Sequence, residues 1–60
     1  MPNYSEWEAA VIERVADALD VSYSDAAGVV EAQPFYMQQS WGMGLDAEQT
    51  ATKILAAASQ

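Results

Sequence analysis

Ala32-Gln33-Pro34-Phe35-Tyr36-Met37-Gln38-Gln39-Ser40-Trp41-Gly42-Met43-Gly44-Leu45 is the longest stretch of this chain without a charge. It lies between Glu31 and Asp46 and holds Phe35, Tyr36, Met37, Trp41, Met43 and Leu45. Large apolar side chains are sparse elsewhere. Two readings follow: the stretch fills the core, or a partner docks on it. As core, Phe35, Tyr36 and Trp41 join Trp7 at the centre, because buried aromatics remove much area from water. As surface, Tyr36, Met37, Trp41 and Met43 form the contact patch, with Gln38, Gln39 and Ser40 as its polar partners. Interface cores favour Trp, Tyr and Met and exclude charge.

Pro34 is the punctuation at the head of this stretch. A proline removes a backbone donor and fits best at the first position of a helix. It predicts a break near Gln33 and a short helix from Pro34 to about Trp41, with Gly42 as C-terminal cap. Met37 and Trp41, four apart, can share a face; Phe35 cannot join them.

On the N-terminal side, two overlapping capping boxes, Asn3 with Glu6 and Ser5 with Glu8, open a helix that runs to about Leu19. Trp7, Val11, Val15, Ala18 and Leu19 recur at helical spacing, with Tyr4 and Ile12 beside them. Glu6, Glu13, Asp17 and Asp20 recur on another face as an acidic stripe. Asp17 and Asp20 stand at the C-terminal end, where the helix dipole disfavours an anion. Ser22 caps a second helix from Tyr23 to Gln33, with Ala26, Val29, Val30 and Gln33 inward. Gly28 either weakens it or permits close approach. On the C-terminal side, Asp46 and Gln49 form a capping box, preceded by Leu45. Ala47, Ala51, Ile54, Leu55 and Ala58 line the face of that last helix. The fold expected is all-α: one domain over residues 1–60, a small three-helix bundle whose second helix is broken or kinked at Pro34, leaving room for a short fourth helix.

Sixty residues bury little, and small domains usually need a disulfide, a metal or a partner. The chain has neither cysteine nor histidine, so disulfides and Cys/His zinc sites are excluded. That leaves self-association. The 52% apolar fraction does not relieve the shortage, because much of it is alanine. Nine carboxylates face only Arg14 and Lys53, a net charge of -7. Such a surface repels nucleic acid and anionic membranes and attracts basic proteins. No apolar run is long enough to span a bilayer. The polar opening Met-Pro-Asn-Tyr-Ser-Glu lacks the regions of a signal peptide. The expectation is a cytoplasmic chain encoded as a complete small open reading frame.

Three motifs bear on chemistry. Val15 to Ser22 is similar to the first helix and turn of bacterial helix-turn-helix domains. However, Asp20 replaces the turn glycine, and the following helix carries no Lys or Arg to neutralise phosphate. Direct nucleic-acid binding is not expected. Asp20, Ser22, Ser24 and Glu31 fall on positions 1, 3, 5 and 12 of a calcium-loop register, but Asp25 stands where that loop needs glycine. Gly42-Met43-Gly44 lacks the spacing and lysine of a phosphate loop. Neither metal nor cofactor is expected, and no catalytic constellation stands out. The reading is a non-enzymatic protein-interaction module that binds a protein or itself, with a homodimer buried at Trp41, Met37 and Tyr36. The alternative is an acidic regulator, a nucleic-acid mimic that occupies a basic partner through the Glu6–Asp20 stripe.

Overall fold

The computed structural model describes residues 3–58. Four helices fill them: α1 (Tyr4–Leu19), α2 (Tyr23–Glu31), α3 (Pro34–Met43) and α4 (Ala47–Ala58). There is no strand among the described residues. The break at Pro34 separates two helices, so the short fourth element is a full helix in its own right. The Cα radius of gyration is 10.2 Å, close to the roughly 10 Å that native packing gives a chain of this length.

Each helix start has a local cause. Asn3 caps α1, its side chain accepting from the Glu6 backbone N–H at 2.9 Å. Ser22 caps α2 by accepting from Asp25 N–H at 3.1 Å. Pro34 opens α3 without any side-chain cap. The α4 box is reciprocal: Asp46 Oδ1 accepts from Gln49 N–H at 2.8 Å, and Asp46 N–H donates to Gln49 Oε1 at 3.2 Å. Because α2 starts at Tyr23, Ser24 and Glu31 are helical and cannot curl into a calcium loop.

Two helices end in the same way. The Val21 N–H reaches back to Ala16 O at 3.1 Å, and the Leu45 N–H to Ser40 O at 3.0 Å. Such six-residue closures need a left-handed residue just past the helix. Gly44 supplies it at φ 75°, and Asp20 at φ 56°. The cap of α3 is therefore Gly44, two residues later than the expected Gly42, which stays helical because the helix runs on to Met43.

The core is Trp7, Val11, Ile12 and Val15 of α1, Ala26 and Val30 of α2, Met37 of α3, and Ala51 and Ile54 of α4. Helix α1 is the hub: it packs chiefly on α4 and α2, while α3 leans on α4 and α2. Each fully buried valine or isoleucine contributes about 1.5–3 kcal/mol. The inward face of α1 stops at Val15. Ala18 and Leu19 carry the right spacing but are exposed, because the chain turns away at Asp20 and the last turn is only partly covered. Ala58 is exposed too. Gly28 has nothing near a would-be Cβ, so it permits no close approach.

Two polar residues are fully buried, Ser40 and Thr50. Thr50 fits the inward spacing of Ala47, Ala51 and Ile54, and its hydroxyl donates to Asp46 O at 2.9 Å. That internal bond is what lets a hydroxyl into the core.

Candidate interaction surface

Helix α3 carries apolar residues all the way round. Met37 and Ser40, three residues apart, point inward. Phe35 precedes Met37 by two residues, which on a helix is the opposite side. It is 69% exposed, the most open of the large apolar side chains among the described residues. The expectation that Phe35 fills the centre is thus reversed. Met37 is reversed as well: it is 3% exposed and belongs to the chain's own core, so it is no part of a docking patch. Tyr36 is half-buried against that core, and its ring meets Phe35 at 6.0 Å. Met43 and Trp41 do stand at the surface, 61% and 40% exposed.

Trp41 sits at an edge. Its ring lies 5.1 Å from the Trp7 ring and 5.1 Å, edge-on, from Tyr4. Tyr4 closes the triangle at 5.5 Å from Trp7. Trp7 is buried, and its indole N–H donates to the Leu45 carbonyl at 3.0 Å, tying α1 to the α3–α4 turn. Burial and the neighbouring Glu8 charge raise the Tyr4 hydroxyl above the ordinary tyrosine range. Beside these rings runs a groove of about 340 Å³ lined by Glu6, Trp7, Ala10, Trp41, Gly44, Leu45, Asp46 and Ala47. Its floor is aromatic and aliphatic, and among the described residues its only charged lining groups are two carboxylates, Glu6 and Asp46.

Of the acidic stripe, Glu6, Glu13, Asp17 and Asp20 are all exposed. Glu6 borders the groove. Arg14 is drawn off to Glu48, at 3.9 Å. Among the described residues no cluster of three carboxylates could hold a metal ion, and no helix is long and apolar enough to cross a membrane. Sequence reasoning missed the groove because it is assembled from three separate segments: Glu6 to Ala10, Trp41, and Gly44 to Ala47. The signal within reach was the position of Leu45 before the α4 cap.

Compared with protein-family models, with curated proteins and with solved structures, the chain matches none significantly. What the fold and surface define is a four-helix α-domain whose third helix carries uncovered aromatic and methionine side chains.

Proposed function

We propose that the protein is a non-enzymatic interaction module that docks a protein partner on the open side of α3 and the adjoining groove. The observation that supports it is the exposure of Phe35, Trp41 and Met43 on one uncharged helix. The parts of these side chains left in water forgo burial that a partner can recover. Met43, Trp41 and Phe35 are the residue types that serve as interface anchors. The partner is intracellular in this reading, and the module neither binds nucleic acid directly nor enters a membrane.

The test is capture from lysate of the source cell by the tagged chain and by a Phe35→Ser/Trp41→Ser/Met43→Ser variant with the same helical content. A partner should be held by the unmodified chain, retained in high salt, and lost by the variant. Apolar contacts survive salt, whereas an acidic mimic loses its hold as charges are screened. A partner released by salt and indifferent to the three substitutions would favour the acidic regulator acting through Glu6, Glu13, Asp17 and Asp20.

A further inference from the structure

We infer that the groove beside Trp7 and Trp41 receives a cationic segment with an apolar anchor, supplied by a partner protein. This rests on the docking reading and adds the chemistry of the occupant. The floor of Trp7, Ala10, Trp41, Leu45 and Ala47 offers apolar area to an aliphatic or aromatic anchor. Glu6 and Asp46 stand on its lining, and no Lys or Arg does. Asp46 is held in place, because its Oδ1 accepts from the Gln49 N–H at 2.8 Å. A fixed carboxylate beside an aromatic floor suits a guanidinium or ammonium, which pairs with the one and packs its stem on the other. Neither cationic side chain of the sequence lines the groove itself. Arg14 lies by Glu48, and Lys53 lines a neighbouring concavity with Asp46 and Glu48.

Charge decides between occupants. A second copy would bring another net -7 to a surface already carrying it. A nucleic acid would bring a polyanion. Only a cationic segment meets this rim with attraction, which steers encounter and selects partners.

The test uses intrinsic fluorescence, since both tryptophans border the groove. The probe is a synthetic peptide with leucines at helical spacing and arginines between them; its counterpart has glutamine for arginine. The cationic peptide should change the tryptophan emission saturably and bind more tightly than the glutamine form. A Glu6→Gln/Asp46→Asn variant should weaken binding about threefold to tenfold, the sum of two partly exposed charge pairs. Asparagine caps a helix as aspartate does, so α4 is preserved. A Glu13→Gln/Asp17→Asn variant removes the same charge elsewhere and should change affinity by less than about twofold, as screening of distant surface charges implies. Equal losses in both variants would overturn the groove assignment. A glutamine peptide that binds equally well would overturn the choice of a cationic occupant while leaving an apolar docking surface in place. If neither peptide binds, the groove proposal falls, and lysate capture by the α3 variant still judges the docking reading separately.

Discussion

Asp20 and Gly44 do the same job with different chemistry. Both hold left-handed backbone at a helix end, at φ 56° and φ 75°. Glycine adopts that conformation freely; a side chain costs roughly 1 kcal/mol there. Asp20 also adds a negative charge at the negative end of α1. Asp20→Gly should therefore raise stability by about 1 kcal/mol, read as a higher urea midpoint at unchanged slope, and Gly44→Ala should lower it by about as much. Ser40 poses the opposite case. Its hydroxyl is fully buried and has no hydrogen-bond partner. Ser40→Ala removes an unsatisfied group at almost no change of shape and should stabilise by about 1 kcal/mol in the same assay. A loss of stability would mean that a water or a neighbour satisfies the hydroxyl in solution. The cost at Asp20 was legible in the sequence from its place at the end of the periodic stretch. The buried hydroxyl at Ser40 was not, because serine reads as surface unless Met37, three residues earlier, is known to point inward.

Among the elements, α4 is the one written most fully into the sequence. Asp46, Gln49 and the Ala47–Ala51–Ile54 spacing give its start and its face, and the structure has both. Asp46→Ala should cost about 1 kcal/mol by removing the cap and a favourable charge. An unchanged denaturation midpoint would show that the helix starts elsewhere. Helix α1 was legible up to Val15; beyond it, periodicity promised burial for Leu19 that tertiary packing does not provide. Helix α3 was the least legible. Its start follows from Pro34, but its end lies at Gly44 and not at the expected Gly42, and its apolar residues lie on every side, so no pattern says which face turns inward. Met37 and Ser40 do, and that choice alone puts Phe35 outside and makes Trp41 half-exposed.

At the scale of the whole molecule, a net charge of -7 on sixty residues opposes any meeting of two copies. Self-association through the open side of α3 should therefore be weak at low ionic strength and strengthen with added salt. Sedimentation equilibrium at both conditions measures this, and Trp41→Ala should remove any salt-induced dimer. A dimer that dissociates in salt would place its contacts on charged residues instead. The claim beneath all of these is that the chain folds with Trp7 inside and leaves Trp41 open. Acrylamide quenching of two single-tryptophan forms, Trp7→Phe and Trp41→Phe, tests it directly at concentrations where the protein is a single chain. Trp41 should be quenched markedly more efficiently than Trp7. Equal shielding of the two tryptophans in the single chain would contradict the account, because Trp41 would then belong to the core and α3 would have no open aromatic edge to offer.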